Sequence, residues 1–143
     1  MTTIRQIMNE RVAAIRPDQT VAEAVELLTQ HHTGGMPVVA EDGELVGIIS
    51  ELAMIDLVFD SKVRDAPISK YMSPKVHSVH PDEPLSRVAQ LFALYSFRRV
   101  PVVEGGKLIG VVTRRDLMNH SLRTNELLQE PLMELIPSLA PMT

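Results

Sequence analysis

Cysteine is absent from the 143 residues. Disulfides, thiolate metal sites and a cysteine nucleophile are excluded with it, while the redox compartment stays open. Tryptophan is absent too, and aromatic residues make up only 3% of the chain. A nucleic-acid surface combines a clustered basic face with rings that stack on bases, so that role is not expected. No apolar run approaches the roughly 20 residues needed to span a bilayer, and no apolar signal core follows Met1. Membrane insertion is not expected, and the cytoplasm is the expected location. The nucleophile-elbow and Walker patterns are missing, and no Ser-His-Asp or paired-carboxylate set has a catalytic context. The chain therefore reads as a non-enzyme. Its histidines, His31, His32, His77, His80 and His120, show no metal-ligand spacing supported by other ligands.

What is present is a globular composition, 45% hydrophobic with a net charge of −4. The charge is uneven: residues 1–63 hold 4 basic and 10 acidic side chains, whereas residues 64–143 hold 10 and 8. An anion would be drawn to the second half.

The chain also says the same thing twice. Ile7-Met8 returns as Tyr71-Met72, Ile15-Arg16-Pro17-Asp18 as Val79-His80-Pro81-Asp82, and Met36-Pro37-Val38-Val39 as Val100-Pro101-Val102-Val103, all at an offset of 64. One residue is then lost in a turn, and Gly43 to Ser50 returns as Gly106 to Thr113. Each repeat opens with a short extended segment (12–15; 76–79) that meets Pro-Asp, a turn signal, before a helix. In repeat one Thr20 and Glu23 form a capping box ahead of an apolar face of Val21, Ala24, Val25 and Leu28; in repeat two Pro84 precedes Leu85, Val88, Ala89 and Phe92. Two short strands follow across a glycine turn (37–39 and 45–49; 100–103 and 108–112), then a second helix (51–59; 114–120). The expected architecture is a mixed α/β (α+β) fold of two pseudo-symmetric β-α-β-β-α repeats, at 5–60 and 71–122, with a connector at 61–70. A unit of this size buries too little apolar surface to be stable alone, so the two are expected to pack together.

Beyond them, residues 123–143 form an apolar tail carrying Leu127, Leu128, Leu132, Met133, Leu135, Ile136 and Leu139, broken by Pro131, Pro137 and Pro141. Such a tail is expected to strap its own core, close a dimer seam, or dock on another protein.

The chemistry concentrates at Gly110-Val111-Val112-Thr113-Arg114-Arg115-Asp116, where a strand runs into a helix. Unpaired N–H groups at such a helix start favour an anion, and the Asp116 carboxylate could accept from a vicinal diol. Thr-x-x-Asp is also a capping box, in which case both residues would serve the helix alone. Repeat one carries Ser50 and Ala53 at these positions, with Glu51-Leu52 replacing the arginines. The helix is therefore expected to form there without the acid, and a nucleotide to bind poorly.

These paired units, with Pro-Val-Val before the glycine turn and Gly-hydrophobic-hydrophobic-Thr-x-x-Asp after it, resemble a tandem pair of CBS domains, named for cystathionine β-synthase. The resemblance implies that the repeats pack through their small sheets, that the module binds an adenine nucleotide (AMP, ADP or ATP) as a regulatory ligand, and that it forms a homodimer and signals to a regulated protein. S-adenosylmethionine or a dinucleotide remains open as the ligand. On this pattern Thr113 lies near the phosphate and Asp116 on the ribose. The base would be held by the segment containing Phe97, Arg98, Arg99, Val100 and Pro101 and by His77, Ser78, Val79 and His80. Arg98, Arg99, Arg114 and Arg115 surround this half with positive charge suited to phosphate oxygens.

Overall fold

The computed structural model describes residues 1–124, and the apolar segment beyond them lies outside the described residues. Helices α1 (Ile4–Ile7), α2 (Val21–Gln30), α3 (Glu51–Val58), α4 (Leu85–Leu94) and α5 (Arg114–Thr124) and strands β1 (Gly35–Val39), β2 (Leu45–Ser50), β3 (Arg99–Glu104) and β4 (Lys107–Thr113) follow one another in the order α1-α2-β1-β2-α3-α4-β3-β4-α5. The strands form two separate two-stranded sheets, β1 with β2 and β3 with β4. This is the mixed fold of helices and small sheets that the repeats foretell. No helix among the described residues is long and apolar enough to cross a membrane.

Local chemistry accounts for the elements. The Thr20 side chain accepts from the Glu23 N–H at 3.1 Å and starts α2, and α4 follows the N-cap Pro84. The β3–β4 hairpin turns on Gly105 and Gly106 at φ of 60° and 81°, the paired left-handed geometry whose twist matches that of the flanking strands. One feature is shorter than expected: the leading extended segments make only single parallel bridges, Ile15 with Val38 and Val79 with Val102. The proline after each segment limits further pairing, since it has no N–H to donate.

The described residues divide into two compact units. One comprises Met1–Val12, His77–Glu104 and, of the described residues, 109–124; the other comprises Ala13–Val76 and Gly105–Leu108. Each has its own core. In the first, Ile4, Val79, Val88, Val100, Val102 and Val112 are buried together. In the second, the buried set includes Ile15, Val21, Met36, Val38, Ile49 and Ile68.

The two lead-in segments are exchanged between repeats. Met8 and Asn9, at the start of repeat one, lie on β4 of repeat two, with Asn9 and Val111 exchanging backbone bonds of 2.8 and 3.0 Å. Met72 and Ser73, their counterparts at the start of repeat two, lie on β2 of repeat one, where Ser73 and Ile48 exchange two bonds of 2.9 Å. Glycine permits both approaches: a Cβ on Gly110 would stand 2.7 Å from the Met8 sulfur, and one on Gly47 would stand 2.7 Å from the Met72 sulfur.

Candidate functional site

Strand β4 hands its chain to α5 at Thr113. The Asp116 N–H donates to Thr113 Oγ1 at 3.0 Å, and the Thr113 N–H donates to Asp116 Oδ2 at 2.9 Å. Both halves of the capping box are therefore made. Only one carboxylate oxygen is used, however, and Oδ1 has no partner among the described residues. At the matching junction of repeat one the Ser50 side chain accepts from the Ala53 N–H at 3.2 Å. That helix starts with half the box, so the carboxylate at 116 is not a requirement of the fold.

The Arg114 N–H donates to the Arg98 carbonyl at 3.2 Å, which ties the approach to β3 to the first turn of α5. The two arginine pairs, 98–99 and 114–115, are thereby gathered at one end of that helix. Among the described residues no ion pair engages any of the four guanidinium groups. Arg98, Arg114 and Arg115 are exposed and Arg99 is partly buried. Burial first, and the Arg98 charge second, push the Arg99 pKa below the ordinary arginine value. Both causes disfavour positive charge. A bound anion would offset them.

The segment 77–80 lies beside β3, because the Val79 N–H donates to the Pro101 carbonyl at 3.0 Å and the Val79 carbonyl accepts from the Val103 N–H at 2.8 Å. Val79, Val100 and Pro101 are buried, so their side chains belong to the core. His77 instead joins two rings, with centroids 4.6 Å from Tyr95, which the expected site did not include, and 5.3 Å from Phe97, which it did; Tyr95 and Phe97 stack at 5.0 Å and 19°. Ser78 is half-buried between them in sequence. A sequence signal existed for the ring cluster: two of only five aromatic residues stand at 95 and 97.

His80 is held elsewhere. Its Nδ1 accepts from the Asp82 N–H at 3.1 Å, and its Nε2 lies 3.8 Å from Glu104 Oε2. His80, Asp82 and Glu104 place potential metal-ligand atoms within 4.8 Å of one another. The Arg5 guanidinium already bridges both carboxylates, at 3.3 Å to Asp82 and 2.9 Å to Glu104. Those contacts, led by the Glu104 hydrogen bond, raise the Arg5 pKa. A cation would have to displace that side chain.

Asp116 opens on a cavity of about 400 Å³ between α1 and α5. A diol-sized group fits that space, beside a carboxylate oxygen without a partner among the described residues; Arg98, Arg99, Arg114 and Arg115 are not among the residues that line it. The class of protein so defined is a twin-repeat module of small sheets and helices with a cavity at the start of its last helix.

The sequence model of the CBS domain family matches residues 4–60 and 64–123, and the chain belongs to that family as a tandem pair. Over 119 residues it is 36% identical to the CBS domain-containing protein YhcV of Bacillus subtilis, covering 82% of this chain and 84% of that one. The crystal structure of CBSX2, a CBS-pair protein of Arabidopsis thaliana, in complex with AMP is 30% identical with a TM-score of 0.78, covering 88% of this chain and 100% of that one. The CBS domain pair of protein MJ0100, in complex with 5′-methylthioadenosine and S-adenosyl-L-methionine, is 27% identical with a TM-score of 0.69, covering 84% and 95%.

Proposed function

We propose that this chain is a regulatory sensor. It binds an adenine nucleotide (AMP, ADP or ATP) at repeat two and conveys occupancy to a partner protein by a conformational change, without altering the ligand. The observation that carries this reading is the start of α5, where Asp116 Oδ1 has no partner and four guanidinium groups have no ion pair among the described residues. The similarity to a CBS pair that holds AMP supports it. Adenosyl ligands without phosphate, as in another relative, share the diol. They would leave the four arginines unmatched, and S-adenosylmethionine adds a positive sulfonium, so a phosphorylated ligand is favoured. Thr113 and the arginines take the phosphate, Asp116 the ribose, and the segments 77–80 and 97–101 the base. Repeat one, with Ala53 and Glu51 at the matching positions, contributes no comparable site. The sensor works in the cytoplasm as a homodimer. Ligand shifts its states only by the difference in affinity between them.

A second reading, an interaction module without a nucleotide, draws on α3, whose Leu52, Ile55 and Phe59 are 80%, 48% and 87% exposed. Thermal melting against AMP, ADP, ATP, GTP, NAD, S-adenosylmethionine and cyclic dinucleotides separates the two. A ligand at 100 times its Kd adds about 2.7 kcal/mol of stability. A rise with one adenine nucleotide that falls to about half or less in Asp116→Asn supports the sensor, whereas an unmoved melting curve throughout the panel supports the interaction module.

A further inference from the structure

The cavity beside Asp116 has a second wall that the repeat grammar does not supply. Thr2, Gln6 and Ile7 of the lead-in segment face Asp116, Asn119 and Arg123 across it, with the buried His120 also lining it. Asp116, Asn119 and Arg123 are spaced by three and four residues, so they share one side of α5.

Two of these side chains are immobilised in the same manner. Asp116 is held through Oδ2 by the Thr113 N–H, and Gln6 is held through Oε1 by the Thr3 N–H at 2.8 Å. Each leaves its second polar atom without a partner among the described residues: Oδ1 of Asp116, an acceptor, and Nε2 of Gln6, a donor. A hydroxyl group both donates and accepts, so this pair of atoms on one cavity is complementary to it. The Asn119 amide, also without a partner among the described residues, supplies a further donor and acceptor. Fixing one end of each side chain in advance lowers the entropy lost when a ligand is bound.

We infer that α1 completes the ligand site, with Gln6 and Asn119 joining Asp116 to read a vicinal diol, so that the sensor selects ribonucleotides over nucleotides lacking the 2′ and 3′ hydroxyls. The inference rests on the nucleotide reading above and names residues outside the Thr-x-x-Asp motif.

Calorimetric titration of AMP and of 2′,3′-dideoxy-AMP tests it on the wild-type chain, Gln6→Glu and Gln6→Met. Both variants lose the donor: glutamate keeps an oxygen for the Thr3 N–H and puts a charged acceptor in the donor's place, and methionine removes both polar atoms at similar length. Both nucleotides carry the same base and phosphate, so any general change in charge cancels in the ratio of their affinities. The wild type is expected to prefer AMP by about tenfold or more, and each variant to lower that ratio about three- to tenfold, chiefly through weaker AMP binding. An unchanged ratio in both variants, or a wild type that binds the two compounds equally, overturns the inference while leaving the nucleotide reading in place. A wild type that binds neither compound removes both.

Discussion

Asp116 caps its helix and is proposed to meet the ligand, and substitution separates the two roles. Asp116→Asn keeps an oxygen for the Thr113 N–H but loses the carboxylate that a diol would meet. Its melting temperature should stay near that of the wild type while AMP affinity falls about tenfold or more, the weight of a hydrogen bond to a charged group. Asp116→Ala should show the same loss of binding plus about 0.5–2 kcal/mol of lost stability, since the cap goes as well. Equal stability in the two variants would show that the capping bond contributes nothing. Glu23 offers a residue-scale prediction in pH. The hydrogen bond from Gln19, at 3.0 Å, is the main cause holding its carboxyl below the usual value of 4.5. A carboxyl with a lowered folded pKa stabilises the fold above its unfolded value and loses that contribution as pH falls through the folded value. In Gln19→Ala the Glu23 titration, followed by NMR, should move up toward the ordinary carboxylate range.

At the scale of elements, the exchanged lead-ins make the strongest demand on packing. A Cβ at Gly47 would meet the Met72 sulfur at 2.7 Å and the Ser73 carbonyl oxygen at 2.9 Å, so backbone has to move. At Gly110 the nearest backbone oxygen, that of Asn9, is 3.2 Å away. Gly47→Ala should therefore cost about 1–3 kcal/mol, and Gly110→Ala less, because the flexible Met8 side chain can give way. Chemical denaturation of the two variants compares them directly. Ile4 is fully buried in the core of the unit that contains repeat two, although it precedes repeat one. Ile4→Ala should cost about 2–5 kcal/mol and, if α1 completes the ligand site as inferred, lower nucleotide affinity too, since α1 forms a wall of the cavity beside Asp116. A chain lacking the lead-in's anchorage but binding with unchanged affinity would argue that α1 stands outside the site.

At the scale of the whole molecule, apolar exposure recurs at matching positions of the two repeats. Ile55 and Phe59 on α3 correspond to Met118 and Leu122 on α5, which are 58% and 81% exposed. Large side chains so placed favour burial against a second copy. Phe59→Glu combined with Leu122→Glu is expected to convert a dimer to monomers in sedimentation experiments, with the fold retained. A wild-type chain that sediments as a monomer at high concentration would remove the proposed homodimer.

Much of this was legible in the order of residues alone. An internal repeat at an offset of 64, apolar spacing of 3 and 4, caps such as Thr20 and Glu23, and the paired glycines at 105 and 106 are local patterns, and local sterics and hydrogen bonding suffice to produce helices, strands and hairpins from them. The Thr113–Asp116 junction was visible for the same reason, since its partners lie three residues apart. Tertiary structure alone decided the rest. That Met8 packs on Gly110 and Met72 on Gly47, that Ile4 enters the core containing repeat two, and that Gln6 stands across a cavity from Asp116 are contacts between residues far apart in the chain. No periodicity records them, because apolar burial has no direction and is satisfied by whichever surface the folded chain brings near.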